Sequence, residues 1–246
     1  MKTGLDPDSV MGRIKSAGQP PKVRGFGNSL LIGGLGFGFV SVLVFAIWAF
    51  AGNWLASRFG EGGFYAVCAV AFIGLSGIVL DRIVIGPDSL RRFYLLFLTS
   101  FTAYSIVWCL AWFLLRRPGN GLMRWLTGAD MAGLIGAFFG VTAMALIIAR
   151  AFSVTDGRWR MIAILFLGNA GGYFAGDWLF AWFRSPAAAT LLENVLPRAS
   201  RVAAGMLAWG AAYGIGFGLG LGYLLYQCQA AIRKRLALES VVETET

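Results

Sequence analysis

Residues 210–222 read GAAYGIGFGLGLG, a stretch in which a glycine returns at every fourth position and no charged residue appears. The glycines of this series are Gly210, Gly214, Gly218 and Gly222. Four residues slightly exceed one helical turn, so a helix would carry these glycines as a slowly drifting stripe without side chains. Within a membrane, such a stripe lets two helices approach closely and gain backbone contacts. The stretch therefore predicts a tightly packed transmembrane helix.

Glycines at the same spacing occur in a second uncharged run, at Gly168, Gly172 and Gly176. These seven glycines are the predicted helix-packing residues. Gly216 and Gly220 form a further pair, which a period of about 100° per residue places on roughly the opposite side of the helix from the first stripe. A helix that is smooth on two sides can pack within its own chain, against a second protein, or both. The spacing leaves these alternatives open.

The composition places the chain in a membrane. Of its 246 residues, 58% are hydrophobic and 13% are charged, against about 25% charged in a soluble domain. A helix needs roughly 20 apolar residues to cross the hydrocarbon core. The sequence offers six runs of that kind, one of them interrupted by Asp177: 28–57, 62–80, 93–115, 131–149, 161–183 and 202–232. We therefore expect an all-α, polytopic membrane protein with six transmembrane helices and glycine-rich helix packing.

The chain divides into a basic N-terminal arm (1–27), a transmembrane domain (28–232) and a short tail that is first basic and then acidic (233–246). Fourteen Lys and Arg residues lie on the side of the two termini and seven in the opposite loops, so the positive-inside rule predicts cytoplasmic termini. We expect a multi-pass protein of a bacterial inner (plasma) membrane. The arm is expected to be disordered or to lie on the lipid headgroups.

Two segments outside the six runs carry helix signals. Ser185-Pro186 is a good helix start and Pro197 a stop, which predicts a short amphipathic helix between them. The last span is expected to continue into residues 230–238. This extension would bring Arg233, Lys234 and Arg235 to the lipid headgroups, where they can bind anionic lipid or anchor the topology. The residues after 238 are expected to be unstructured.

Polar side chains inside the runs give a candidate solute path. Asn169, Tyr173 and Asp177 stand four residues apart on the fifth run, and Thr99 and Thr102 belong to a hydroxyl-rich patch on the third, with Ser100, Tyr104 and Ser105. Ionisable residues within a membrane are costly and are often functional. Asp177 also lies near the end of its run, where it can instead form an ion pair with Arg184, Arg198 or Arg201. Both interpretations remain open.

Catalysis is not expected. Gly74-Leu75-Ser76-Gly77 is similar to the serine motif of rhomboid intramembrane proteases, which need a histidine base, and this chain contains no histidine. The lack of histidine also removes most haem and zinc sites, so we expect no metal and no cofactor. The formal charge of +9 is spread over every loop, and we therefore expect no nucleic-acid partner.

Three functions remain, all non-catalytic. The glycine stripes favour a helix-packing subunit of a homo-oligomer or larger membrane complex, with membrane lipids and other subunits as partners. The polar residues favour a small-solute transporter or channel with a path along the third and fifth helices. The 20 Phe, 9 Trp and 7 Tyr residues fit a lipid- or pigment-binding protein, although aromatic residues also gather at membrane interfaces.

Overall fold

The computed structural model describes residues 3–18, 20–115, 129–192 and 195–245, and within these ranges the chain is all-helical, without a strand. Its α-helices are α1 (Pro7–Ala17), α2 (Phe26–Leu31), α3 (Phe37–Leu80), α4 (Ser89–Leu115), α5 (Ala129–Ala151), α6 (Arg158–Arg184), α7 (Pro186–Leu192), α8 (Arg198–Cys228) and α9 (Ala230–Glu245). Four helical stretches are long and apolar enough to cross a membrane: Phe26–Ile83, Ser89–Leu115, Met131–Ala151 and Arg198–Cys228.

The first of these stretches turns back on itself. A π-helical turn, Ile32–Gly36, joins α2 to α3, and α3 is broken at Gly60, whose φ of 72° and ψ of 175° are not helical. Phe37 and Phe72 would lie about 50 Å apart in a straight helix, yet their rings stack with centroids 5.5 Å apart. The two halves of α3, residues 37–59 and 61–80, therefore run antiparallel.

Helix α8 lies at the centre of the bundle. It packs along α6 on one side and along α2 and the first half of α3 on the other, and α4 packs mainly on α5. The core contains large side chains from several of these helices that are almost fully buried, including Phe37, Phe97, Met144 and Phe217. Close packing of these side chains gains dispersion contacts, which hold the helices in one arrangement.

The two termini meet at one end of the bundle, here called the terminal end. Helix α1 begins where the Asp6 side chain accepts a hydrogen bond from the Ser9 N–H (3.0 Å), an arrangement typical of helix starts. Its apolar face joins Ile85 and Ile232 in a small buried cluster. Lys15 contacts Glu239 at 2.8 Å, which links α1 to α9. Within the arm, α1 is therefore folded against the bundle and is not disordered. The acidic tail is helical as far as Glu245.

The opposite end, here called the distal end, holds the turn at Gly60 and helix α7. The predicted start of the short helix is confirmed, because α7 begins at Pro186 and the Ser185 hydroxyl accepts a hydrogen bond from the Ala188 N–H at 3.2 Å. The helix ends at Leu192, before the predicted stop at Pro197. Leu191 on this helix is 73% exposed, so α7 does not bury its whole apolar side.

Candidate functional site

The first glycine stripe faces the chain's own first long helix. A methyl group added at Gly210 would lie 2.7 Å from Cβ of Phe45, and one at Gly214 would lie 2.8 Å from Cα of Gly38. Gly218 and Gly222 likewise meet backbone atoms of the segment between Ser29 and Gly33. These contacts leave no room for a side chain, so the stripe is filled from within the chain.

The opposite side of α8 is equally close to α6. A methyl group at Gly168 would lie 2.5 Å from the carbonyl oxygen of Gly216, and one at Gly172 would lie 2.8 Å from that of Ala212. Gly220 faces Leu165 in the same way, at 3.0 Å from its Cα. Helix α8 therefore lies between two neighbours of its own chain. Both smooth sides have intramolecular partners in the described structure.

Three polar side chains meet at the centre of the bundle, about midway along α4 and α8. The hydroxyl groups of Tyr104 and Tyr213 are 3.0 Å apart, and Nδ2 of Asn169 donates to the Tyr104 hydroxyl at 3.3 Å. We call Tyr104, Asn169 and Tyr213 the Tyr–Asn cluster. Its members come from α4, α6 and α8, so the cluster exists only when the helices are assembled.

The Tyr–Asn cluster has spare hydrogen-bonding capacity. Asn169 is only 1% exposed, and its Oδ1 finds no partner among the described residues; nor do Oγ of Ser41 and Nε1 of Trp209, which are buried as well. A buried polar atom without a partner costs about 1–3 kcal/mol. Such atoms are common where a bound molecule or water supplies the missing bond.

Exposure along α8 changes at the level of the Tyr–Asn cluster. Phe217 is fully buried, whereas Tyr213 and Trp209, one and two turns towards the distal end, are half-buried. Tyr213 nevertheless faces the interior, because its ring packs against Phe72 (6.4 Å) on one side and Phe45 (6.2 Å) on another. The inward-facing side of α8 is therefore less completely buried in the distal half of the bundle than at Phe217.

Helices α4 and α6 show the same change. On α4, Phe101 and Tyr104 are buried while Trp108, one turn further, is half-buried. On α6, Asn169 is buried and Tyr173 is half-buried. Three helices therefore share a pattern in which burial is complete near the Tyr–Asn cluster and partial one turn towards the distal end.

Aromatic rings from two other helices, α3 and α6, surround Trp209 in this partly buried region. The centroid of the Trp209 ring lies 5.6 Å from those of both Trp48 and Tyr173, and 5.5 Å from that of Phe180. Gly176 makes room for the indole, since a methyl group there would lie 2.8 Å from Nε1 of Trp209. We call the group formed by Phe45, Trp48, Tyr173, Phe180 and Trp209 the distal cleft. It adjoins the Tyr–Asn cluster, because the ring centroid of Tyr213 lies 6.2 Å from that of Phe45.

The structure separates the residues of the predicted polar path. Asn169 belongs to the Tyr–Asn cluster and Tyr173 to the distal cleft. Thr102 is half-buried, while Asp177 and Thr99 are exposed, and the Thr99 hydroxyl donates to the Leu95 carbonyl oxygen at 2.9 Å. Asn169 and Tyr173 therefore both make contacts in the interior, whereas Thr99 and Asp177 are exposed.

Sequence reasoning did not single out Tyr213 or Trp209. Tyr213 stands directly before Gly214 in the glycine-rich stretch, where its hydroxyl group is the one polar side chain of residues 210–222. A lone hydroxyl group in an apolar stretch was therefore a signal that could have identified Tyr213. Their contacts with Tyr104 and Tyr173 depend on how distant helices are arranged, which residue spacing does not reveal.

The three C-terminal cations have different surroundings. Nη2 of Arg233 donates to the Tyr226 carbonyl oxygen at 2.6 Å, and burial lowers the pKa of its guanidinium group. Arg235 is held by Asp8 at 2.5 Å, and Lys234 is exposed. In the described contacts, Arg233, Lys234 and Arg235 therefore do not form one site of three equivalent cations.

The distal cleft combines aromatic walls with adjoining uncharged hydrogen-bonding groups. Among the residues that the structure describes, no cluster of His, Cys, Asp or Glu has the arrangement of a metal site. No protein-family model matches this sequence, and no curated protein or solved structure matches it. The chemistry of the cleft is therefore the basis for a functional assignment.

Proposed function

We propose that this chain is a non-catalytic, six-span membrane protein that binds a small uncharged solute in the distal cleft and carries it across the membrane. The observation that carries the proposal is the buried, incompletely bonded Tyr–Asn cluster next to the partly buried aromatic rings of the distal cleft. Ligand sites in proteins commonly have this character, with mainly apolar walls and a few well-placed polar groups.

The six-span arrangement is supported by helix lengths. A straight helix over the stretch Phe26–Ile83 would be about 87 Å long. A bilayer core is only about 30 Å thick, and the stretch reverses at Gly60. Helix α6 has 27 residues, which correspond to about 40 Å, and it packs along α8.

Two crossings for the stretch Phe26–Ile83 and one each for α4, α5, α6 and α8 give six crossings in total. An even number agrees with both termini lying at one end of the bundle. The distribution of Lys and Arg residues predicts that this end is cytoplasmic.

The chemistry of the distal cleft favours an uncharged ligand with a flat ring. Stacked and edge-on aromatic contacts suit planar or ring-shaped molecules, and the Asn169 amide and tyrosine hydroxyl groups can each form hydrogen bonds without a charge. A buried ion would need an opposite charge to offset its desolvation. Asp177, the carboxylate of α6, is exposed instead of facing the cleft.

Binding can be measured on full-length protein in lipid nanodiscs by tryptophan fluorescence, because Trp48 and Trp209 line the distal cleft. A panel of uncharged ring-bearing solutes would be screened, and the best binder then used in a flux assay with reconstituted vesicles. We expect Asn169→Ala and Tyr213→Phe to weaken binding about tenfold, the loss of one hydrogen bond in a low-dielectric site.

Thr99→Ala and Asp177→Asn serve as matched controls, since both residues are exposed, and both variants should bind like the unmodified protein. If the two cluster variants and the two controls bind and transport the solute equally well, the distal cleft is not the site. Binding that depends on Asn169 without any flux would identify a binding subunit in place of a carrier.

The helix-packing subunit favoured by the glycine stripes stays a prediction. Because both glycine faces of α8 already contact helices of this chain, a partner subunit would have to bind elsewhere. Lipid or pigment binding as a main function likewise stays a prediction. Co-purification from native membranes and an absorption spectrum of the purified protein test these two alternatives.

A further inference from the structure

Three aromatic rings from two helices form a contiguous group at the terminal end. The ring centroid of Phe26 on α2 lies 6.3 Å from that of Tyr223 and 5.2 Å from that of Tyr226, both on α8. A guanidinium group lies over the ring of each tyrosine. The guanidinium carbon of Arg160 lies 5.9 Å from the centroid of Tyr223, and that of Arg233 lies 3.5 Å from the centroid of Tyr226.

These contacts fix the positions of the two guanidinium groups. A cation within about 6 Å of an aromatic centroid is attracted to the ring face. Arg233 is further held by its bond to the Tyr226 carbonyl oxygen, and Arg24 lies two residues before Phe26. We call Arg24, Arg160 and Arg233 the interfacial arginines, because tyrosines and arginines of this kind are typical of the headgroup level of a bilayer.

The interfacial arginines are not neutralised by the protein. In the described ranges, no carboxylate lies within ion-pair distance of any of the three, and Nε of Arg24 has no hydrogen-bond partner there. Two other cations of the terminal end are paired by contrast, Lys15 with Glu239 and Arg235 with Asp8. Positive charge is therefore left uncompensated next to the Phe26–Tyr223–Tyr226 group.

An exposed apolar strip continues from this group towards the membrane interior. Leu31, Leu35 and Phe39, on the helix that begins at Phe26, are 56%, 64% and 65% exposed. Leu219 and Ile215 of α8 lie alongside, because a methyl group added at Gly34 would touch Leu219 and one added at Gly38 would touch Ile215. The two helices thus share one apolar surface below the arginines.

We propose that this surface binds an anionic phospholipid, whose phosphate is held by the interfacial arginines and whose acyl chain lies along the strip of Leu31, Leu35 and Phe39. Guanidinium groups form strong, directional hydrogen bonds to phosphate. The apolar strip that continues from the arginines is what distinguishes a lipid from a soluble phosphate. This lipid site is independent of the distal cleft and of any solute bound there.

Native mass spectrometry of the full-length protein, released from mild detergent with added lipid, tests the proposal. Phosphatidylglycerol and phosphatidylcholine with identical acyl chains would be compared. We expect phosphatidylglycerol to bind more tightly. A cation near the bilayer surface contributes about 1 kcal/mol, so Arg160→Gln and Arg233→Gln should each weaken its binding about fivefold.

Lys234→Gln is the matched control, because Lys234 is exposed, neighbours Arg233 and has none of its aromatic contacts. It should change phosphatidylglycerol binding by less than about twofold, since an exposed cation is screened. Arg160→Lys keeps the charge, and retained binding by this variant would show that the loss in Arg160→Gln is not a folding defect.

Two results would overturn the proposal. The first is equal binding of the two lipids. The second is equal weakening by Lys234→Gln and Arg160→Gln, which would indicate a diffuse surface charge. Glycerol 3-phosphate, which lacks acyl chains, forms a separate arm. If it competes with phosphatidylglycerol at equal concentration, the site recognises a soluble anion and not a lipid.

Discussion

Gly168 shows what a single missing side chain does in this bundle. In a helix, glycine is less favourable than alanine by about 0.5–1 kcal/mol. At this position that loss is offset because the carbonyl oxygen of Gly216 occupies the place of a side chain, 2.5 Å from where a Cβ would lie. The obstacle is backbone, which cannot turn aside as a flexible side chain can.

We therefore expect Gly168→Ala to lower the free energy of unfolding by about 1–3 kcal/mol, the usual cost of forcing an extra carbon into a packed contact. Gly171→Ala is the matched control on the same helix, since nothing lies within 4 Å of its added Cβ, and it should be neutral or slightly stabilising. Reversible unfolding in mixed micelles measures both. Equal destabilisation by the two variants would contradict the close approach of α6 and α8.

Asn169 is expected to serve binding at the expense of stability. Its Oδ1 is buried without a partner in the described structure, and its bond to Tyr104 is long, at 3.3 Å. Asn169→Leu, which has similar volume, should therefore raise the free energy of unfolding by about 1 kcal/mol while weakening solute binding at least about tenfold. Unfolding and fluorescence titration of the same samples test this. A variant that is both less stable and still binding would show that Asn169 is a structural residue.

Individual residues were predictable to different degrees. Asn169 stands out in the sequence because a lone amide in an apolar run is conspicuous. Tyr104 was noticed as one of several hydroxyl groups, but its importance depends on Tyr213, which lies 109 positions away in the chain. Residue spacing describes one helix at a time. A cluster built from three helices requires their relative positions, which the sequence pattern does not contain.

At the level of elements, the reversal within α3 depends on Gly60. Its φ is 72° and its ψ is 175°, a combination that is essentially restricted to glycine. No atom lies within 4 Å of an added Cβ there, so the effect of a substitution would come from the backbone alone. A substitution at Gly60 therefore tests backbone strain without a change in packing.

Gly60→Ala should lower the free energy of unfolding by about 1–3 kcal/mol through this strain. Gly62→Ala, two residues later, also has open space around its Cβ but has no positive φ, and it should have little effect. Thermal unfolding of the two variants in the same detergent makes the comparison. Indistinguishable midpoints would mean that the chain reverses without the left-handed residue.

Residues typical of helix ends predicted α7 and were also present around α1. Ser185-Pro186 correctly predicted the start of α7. Asp6 and Pro7 give the same kind of signal for α1, and Gly18 adopts the left-handed conformation that ends it, but the high charge of the arm favoured disorder instead. The charges do not prevent folding, because α1 buries apolar side chains and pairs its charges with α9.

The whole molecule is asymmetric along its long axis. Towards the terminal end, the helices are packed around fully buried side chains such as Phe217 and Leu221, and α1 and α9 add further cover. Towards the distal end, the inward-facing rings are only partly buried, and we propose that a cleft opens there. A site that is open on one side and closed on the other is the arrangement expected of a carrier in one of its two states. Release on the other side would require the terminal half to open.

Cysteine accessibility tests this asymmetry most directly. The background is a variant in which the three native cysteines, Cys68, Cys109 and Cys228, are replaced by alanine. In it, Trp48→Cys in the distal cleft would be compared with Val44→Cys, one turn deeper and 2% exposed, and with the exposed Phe39→Cys on the apolar strip. A charged, membrane-impermeant thiol reagent would be added in turn to each side of reconstituted vesicles.

We predict rapid labelling of Trp48→Cys from the distal side, and slow labelling of Val44→Cys and Phe39→Cys from either side. Labelling of Trp48→Cys no faster than that of Phe39→Cys would contradict the accessible distal cleft and, with it, the proposed function.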